Sequence, residues 1–159
     1  MATRSRAGFT LIEAFFTMLI ITLFISLTLG YIQKVRQEAR DVKRLADLHQ
    51  LRAALELYAH SHSTYPAGTN ILIGHIPATS LAVNGWTNQP QAPIYLADFP
   101  ADPLPTAQSP CVKNVPQPCA YNYSVEEPAD YSVRFYLEHG VPPLAAPGLY
   151  QLTARGFRP

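Results

Sequence analysis

Residues 8–33 read GFTLIEAFFTMLIITLFISLTLGYIQ, and this stretch decides the fold. From Ala14 to Gln33 there are 20 consecutive uncharged residues. As a helix they would extend roughly 30 Å, about the hydrocarbon thickness of a bilayer. A short polar segment with Arg4 and Arg6 precedes them, whereas a secretory signal peptide places its apolar region before the cleavage site. The pattern therefore predicts a retained membrane-spanning helix, and the alternative is a buried core helix of a soluble protein.

One charge, Glu13, interrupts the apolar region near its start. An ionised carboxylate in the middle of a bilayer costs roughly 2.5 to 3.5 kcal/mol, so this residue needs a partner. Residues 8–13, GFTLIE, lie between a short basic leader and a run of membrane length. In this position they resemble the prepilin processing motif of type IV pilins and of the pseudopilins of type II secretion.

The resemblance implies cleavage after Gly8 by a membrane-embedded prepilin peptidase, methylation of the new amine of Phe9, and attraction between Glu13 and the Phe9 amine of a neighbouring subunit. Glycine gives a protease unobstructed access to the backbone, and a buried cation satisfies a buried anion. The resemblance also implies extraction of the subunits from membrane lipid by an assembly platform with a separate ATPase. Identical or related subunits would then stack into a helical filament, extracellular or periplasmic.

The orientation of the membrane helix is predicted from this resemblance, with the leader in the cytoplasm and the head outside the inner membrane. A count of basic residues alone would put the head inside. The two cysteines favour the outside, because they suit an oxidising compartment. The flank after the apolar run holds Lys34, Arg36, Arg40, Lys43 and Arg44, and the flank before it holds Arg4 and Arg6.

Beyond the apolar run, the spacing of three or four residues between apolar positions is typical of an amphipathic helix. A single helix of roughly 80 Å is predicted, with one face packed on a domain. It ends at Tyr65-Pro66, because a proline disfavours helix at the residue before it. Gly30 is predicted to be the weak point of this helix. The resemblance implies a role for it in filament extension, and the alternative is a glycine tolerated under helix packing. The apolar positions are Val35, Ala39, Val42, Leu45, Leu48, Leu51, Leu55 and Tyr58.

An α+β fold is predicted, in which the outer half of the helix packs on a small antiparallel sheet, as in the pilin head. Ten of the 15 prolines lie between Pro66 and Pro118, which predicts a connecting loop region before the sheet. In the middle strand, Tyr131 and Phe135 alternate with Ser132 and Arg134, so that one face is predicted to be buried and the other to be exposed to solvent. The predicted segments are a leader 1–8, a transmembrane and assembly helix 9–33, an amphipathic half 34–65, a connecting region 66–119 and a sheet 120–159, with strands at 120–125, 131–138 and 148–154.

Two cysteines allow at most one disulfide and exclude a four-cysteine metal site. We predict that Cys111 and Cys119 are bonded in the head, and the alternative is two reduced thiols. The pair His60 and His62 does not share a helix face, so a metal role is not favoured.

No catalytic motif occurs, so we predict neither an enzyme nor a bound metal or cofactor. The acidic cluster Glu126, Glu127 and Asp130 is interpreted as a solvated turn rather than a calcium site. Tyr121, Tyr123, Tyr131, Tyr136 and Tyr150 favour aromatic packing over stacking on single-stranded DNA, since only Lys113 and Arg134 lie near them in sequence.

The predicted function is a structural filament subunit. Its alternatives within the family are a type II secretion pseudopilin and a competence pilin, and nucleic acid is a partner only in the second case. A rival from another class is a single-span membrane-anchored binding protein or enzyme that never polymerises, and it predicts an uncut N-terminus.

Overall fold

The computed structural model describes residues 8–103, 120–127 and 130–159. Contacts within the chain define two units, Met1–Arg36 and Gln37–Pro159. One helix, α1, spans Leu11–His62 and contributes to both units. It is long and apolar enough to cross a membrane. The predicted long N-terminal helix is therefore confirmed, with ends two or three residues inside the predicted limits.

In the described part of the chain eight strands follow the helix, and every pairing between them is antiparallel. Five strands form one sheet in the order β1-β5-β6-β7-β8, and three form a second in the order β3-β2-β4. The α+β class is thus confirmed. The strands are β1 Ile71–Ile73, β2 Ser80–Ala82, β3 Gly85–Thr87, β4 Ile94–Leu96, β5 Tyr121–Glu127, β6 Asp130–Leu137, β7 Gly148–Thr153 and β8 Gly156–Arg158.

The region 66–119, predicted as a connecting loop, contains four of these strands in its described part. β1 extends the main sheet by pairing with β5, with Ile73 opposite Tyr121. Each of the four strands is three residues long, which is too short for a period of two to stand out between prolines. The pairing partner, and not the local pattern, makes these segments strands. The short strand β8 was missed for the same reason.

The core lies between α1 and the inner face of the five-stranded sheet. Leu48, Leu51 and Leu55 of the helix share one apolar cluster with Val133 and Phe135 of β6. The predicted alternation of β6 is confirmed for its inner face, since Tyr131, Val133, Phe135 and Leu137 are all buried. The prediction for the other face was wrong at Ser132, which is only 4% exposed.

The predicted amphipathic face of α1 is correct from Leu45 onwards and wrong before it. Ala39 and Val42 are exposed, whereas Asp41 and Arg44 are buried. Val35, in the first unit, is also exposed. At the start of its head part, α1 therefore faces the sheet with charged side chains. Their hydrogen-bond and salt-bridge partners include residues distant in sequence.

Candidate assembly site

The predicted processing motif forms the start of α1. Gly8, Phe9 and Thr10 precede the helix, which begins at Leu11. The Thr10 hydroxyl accepts a hydrogen bond from the Glu13 backbone N–H at 3.3 Å, and the Thr10 carbonyl accepts one from the Ala14 N–H at 3.1 Å. Thr10 is thus the N-cap of the helix, and Thr-x-x-Glu is the sequence signature of a capping box. This local role was readable from the sequence but was missed.

The Glu13 side chain is exposed in the first turn of α1 and forms no salt bridge with the described residues. A carboxylate at this position interacts favourably with the partial positive charge of the helix N-terminus. Phe9 is exposed as well, at 71%. Both residues are therefore accessible to groups from outside the chain.

Three threonine hydroxyl groups within the apolar part of α1 are satisfied by the helix itself. Thr17, Thr22 and Thr28 donate hydrogen bonds to the carbonyls of Ala14, Met18 and Phe24, at 2.9, 2.7 and 2.7 Å. In a hydrocarbon environment an unsatisfied polar group is costly, and such bonds to the preceding turn avoid that cost. These threonines are therefore compatible with a membrane location.

The apolar side chains of this part of the helix have no cover in the described chain. Large apolar side chains between Phe9 and Ile32 are exposed, for example Phe15 at 62% and Phe24 at 66%. A shallow groove runs along one side of the helix, and a ridge of side chains from a second helix could fill such a groove. Its lining residues are Phe15, Met18, Leu19, Thr22, Leu23 and Ser26.

Neither Gly8 nor Gly30 is required by packing within the described chain. A Cβ atom added at either position would meet no other atom within 4 Å, apart from the local backbone. Gly30 lies inside the continuous helix α1. A side chain at Gly8 would therefore not disturb the fold, and any effect on processing would arise in the contact with a protease.

In the head unit, α1 carries a second exposed apolar surface, which we call the outer stripe. It faces away from the core, with Val42 exposed at 51% and Leu57 at 59%. Its members are three or four residues apart, or seven where one turn is polar, so they lie along one side of the helix. The outer stripe consists of Ala39, Val42, Ala46, Ala53 and Leu57.

A buried ionic cluster fixes the start of the head helix to the sheet. The Asp41 carboxylate accepts hydrogen bonds from the backbone N–H groups of Glu138, His139 and Gly140, at 3.0, 2.8 and 3.0 Å. Gly140 has φ +86°, a conformation that side chains disfavour, and a Cβ there would lie 2.6 Å from the Ala146 nitrogen. The turn after β6 thus places three donors around one carboxylate of α1.

Arg44 is the centre of this cluster and is 1% exposed. It contacts the carboxylates of Asp41, Asp102 and Glu138 at 2.7, 2.8 and 2.8 Å. Burial alone would lower the pKa of Arg44, but these three carboxylates outweigh it and keep the pKa above its ordinary value. Arg40 adds a bidentate pair with Glu138. The sequence pattern did not predict this cluster.

Three of the predicted sheet tyrosines, Tyr121, Tyr123 and Tyr131, are buried. Burial raises the pKa of each hydroxyl. Their rings pack against other rings, for example Tyr123 against Trp86 at 5.2 Å. These three residues form aromatic packing, as predicted, and present no surface for a ligand.

The histidines of the helix end differ from one another. His62 stacks on Tyr58 at 4.2 Å, and its Nδ1 lies 3.1 Å from the Tyr58 carbonyl. His60 is exposed. Within residues 8–103, 120–127 and 130–159 no group of three or more metal-ligating side chains occurs.

Several predicted sites fall outside the described part of the chain. Cys111 and Cys119 both lie in 104–119, so the predicted disulfide is untested. Residues 1–7, which belong to the predicted leader before the cleavage site, are likewise not described. Of the predicted acidic turn, only the Asp130 side chain is described, and it accepts hydrogen bonds from the N–H groups of Tyr131 and Ala154.

Comparisons with protein-family models, with curated proteins and with solved structures found no match. Function is therefore inferred from the geometry of the helix and of the head.

Proposed function

We propose that this chain is a structural subunit of a type IV pilus-like filament, cut after Gly8 and assembled through its N-terminal helix. The observation that carries the proposal is the helix start. The first turn of α1 is capped by Thr10 and holds one exposed carboxylate, that of Glu13. An uncovered apolar surface of membrane length follows this turn.

An apolar surface of this size is covered by lipid or by other protein chains. Lipid covers it while the subunit waits in the membrane. In a filament, neighbouring copies of the same helix take the place of lipid, and close packing of side chains then supplies the attraction. The groove along Phe15 and Leu19 suits a neighbouring helix in this role.

The outer stripe favours a subunit that polymerises over a protein that is only anchored in the membrane. A single-span anchored protein needs apolar surface in the membrane and has no need of it on a head helix in water. Val42 and Leu57 nevertheless leave more than half of their surface uncovered. Contact with the helices of adjacent subunits would remove this surface from water, at roughly 25 cal/mol per Å² buried.

The test is to express the chain in cells that carry a prepilin peptidase and an assembly platform. Mass spectrometry should find a protein that begins at Phe9 with a methylated amine, and electron microscopy should find sheared filaments that contain it. Gly8→Leu should leave the leader attached, because the side chain obstructs the protease while the fold tolerates it.

Gly30→Leu is the matched control, since a Cβ at that position also meets no atom within 4 Å. It should be cut normally. Native protein that retains Met1 or Ala2 in such cells would contradict the proposal and favour the non-polymerising anchor.

A further inference from the structure

The arginines of the head unit fall into two groups that differ in their partners. Arg40, Arg44 and Arg52 of α1 each form a salt bridge with a carboxylate. Arg134, Arg155 and Arg158 of the sheet form none with the described residues. The side-chain partner of Arg134 is a neutral amide oxygen, that of Asn70, at 2.7 Å. The sheet thus carries guanidinium groups whose charge no described carboxylate neutralises.

Strand register brings two of these arginines onto one face. Arg134 lies opposite Gln151, and Gln151 lies opposite Arg158. Their neighbours along the strands, such as Val133 and Leu152, are buried in the core, so this row belongs to the opposite side of the sheet. Two strand spacings place the backbones of Arg134 and Arg158 about 10 Å apart. Arg155 lies in the turn that joins β7 to β8.

A tyrosine on the same face differs from the other tyrosines of the head. Tyr136 is half-buried, follows Arg134 by two residues, and lies opposite Leu149, which is 52% exposed. No ring of the described residues packs against it. The other head tyrosines all have aromatic partners, and they are Tyr58, Tyr65, Tyr95, Tyr121, Tyr123, Tyr131 and Tyr150.

We propose that this outer sheet face binds single-stranded nucleic acid. We define the outer sheet face by Arg134, Tyr136, Gln151 and Arg158, and the exposed Arg155 lies in the adjacent turn. Surfaces that bind single strands combine basic side chains that follow the phosphates with aromatic side chains that stack on bases. The arginines supply the first element and Tyr136 supplies the second. An acidic glycan would use the arginines but would gain no base stacking.

One acidic residue lies on the same strand, and its carboxylate has backbone partners. Asp130 precedes Arg134 by four residues, about 13 Å along a strand. Its Oδ1 accepts hydrogen bonds from two backbone N–H groups. The residues that define the face include arginines and no acidic residue, so the charge of this set is positive. The inference does not rest on polymerisation, although repetition of the face along a filament would strengthen binding through multivalency.

The experiment uses the full chain in detergent micelles and a fluorescein-labelled oligothymidylate of about 20 nucleotides, followed by fluorescence anisotropy at about 50 mM salt. Saturable binding is expected, with an affinity that falls as salt rises. The double variant Arg155→Gln, Arg158→Gln should bind about tenfold more weakly, and each lost phosphate contact should flatten the salt slope by about 0.7. Tyr136→Ala should lose about tenfold, and Tyr136→Phe should bind like the parent because it keeps the ring.

Lys43→Gln is the control for a general effect of charge, because it removes one positive charge from an exposed position of α1. Its affinity should equal that of the parent. Circular dichroism should show that every variant is folded as the parent is. Three results would overturn the proposal: no binding by the parent at low salt, an equal loss in Lys43→Gln, or heparin binding as tight as the oligonucleotide together with no effect of Tyr136→Ala. The last result would assign the face to acidic glycans.

Discussion

Arg44 of α1 donates two parallel hydrogen bonds to Asp102, from Nε to Oδ2 and from Nη2 to Oδ1, each 2.8 Å long. Both side chains are almost fully buried, with 1% and 4% exposed. The bidentate pair joins the helix to the segment after β4, and Glu138 extends the connection to the turn after β6. A planar guanidinium suits this geometry, whereas a lysine could satisfy only part of it.

Loss of Arg44 should destabilise the head strongly. Arg44→Leu leaves buried carboxylates without their cation, which typically costs about 3 to 5 kcal/mol. Arg44→Lys should be intermediate, because it keeps the charge but loses the fork. The free energy of unfolding can be measured by urea titration of the full chain in detergent, followed through the near-ultraviolet signal of the buried tyrosines.

Glu56→Ala is the control for this series, since Glu56 forms an exposed pair with Arg52 at 2.9 Å and the variant keeps the hydrogen bond from Arg52 to the Ala154 carbonyl. An exposed pair of this kind contributes about 0 to 1 kcal/mol. Equal effects of Arg44→Leu and Glu56→Ala would show that the buried cluster does not hold the head together.

Glu138 should make the head sensitive to acid. Burial alone would raise the pKa of Glu138, but hydrogen bonds and charge from Arg40 and Arg44 hold it below its ordinary value of 4.5. Because the folded-state pKa lies below the unfolded-state value, the stabilisation is complete well above pH 4.5 and is lost as the pH falls through the folded-state pKa. Glu138→Gln should be less stable at neutral pH, with a flatter stability profile below pH 4.5.

Asp47 should affect the pH dependence of stability in the opposite direction to Glu138. Burial raises the pKa of Asp47 above its ordinary value of 3.8, against the opposing charge of Lys43 and the hydrogen bond from Tyr121. Its ionisation therefore costs stability as the pH rises through 3.8 and the raised pKa. Asp47→Asn should gain stability relative to the parent above this range. Unfolding measured from pH 3 to pH 7 in roughly half-unit steps would reveal both profiles, and parallel curves for all three proteins would contradict these assignments.

Glu13 should matter for assembly rather than for insertion. Glu13→Leu removes a carboxylate that is a liability in lipid, so the variant should insert and be cut after Gly8. It should not polymerise efficiently, because the Phe9 amine of an incoming subunit would enter an apolar filament core without a counter-ion, at a cost of several kcal/mol. Glu13→Gln should be intermediate. Electron microscopy of sheared filaments, with immunoblots for processed protein, measures the outcome.

The capping role of the first turn requires its own control. Thr10→Ala removes the hydroxyl that accepts the Glu13 N–H but leaves the Glu13 charge. Loss of an N-cap costs about 1 kcal/mol of helix stability. If Thr10→Ala and Glu13→Leu reduce filaments equally, Glu13 acts through the helix start. Abundant filaments from Glu13→Leu would refute the pairing with Phe9 altogether.

Cys111 and Cys119 should be bonded in the mature protein. The bond would close a loop with seven residues between the cysteines and stabilise the head by roughly 2 to 3 kcal/mol in the loop-entropy model. Labelling of free thiols in unfolded, unreduced protein should find none. Two labelled cysteines per chain would end this prediction and would remove one argument for a head outside the membrane.

The sequence by itself determined the features that depend on local periodicity and composition. The uncharged run after Glu13 specifies a long apolar helix, because each residue contributes to that property independently of the rest of the chain. The alternation through Val133 and Phe135 specifies a half-buried strand, because successive side chains point to opposite faces. The N-cap bond from the Glu13 N–H to the Thr10 hydroxyl belongs to the same class, since the two residues are three apart in sequence.

Only the tertiary structure decided the features that join distant parts of the chain. Arg44 is buried because Asp102 and Glu138, which lie 58 and 94 residues away in sequence, surround it. No helical period predicts that a charge will be buried, since burial of a charge depends on a partner that only folding supplies. The short strand β1 exists because β5 pairs with it. In the same way, Arg134 and Arg158 share one face because β7 lies between their strands, and strand register is a property of the folded sheet.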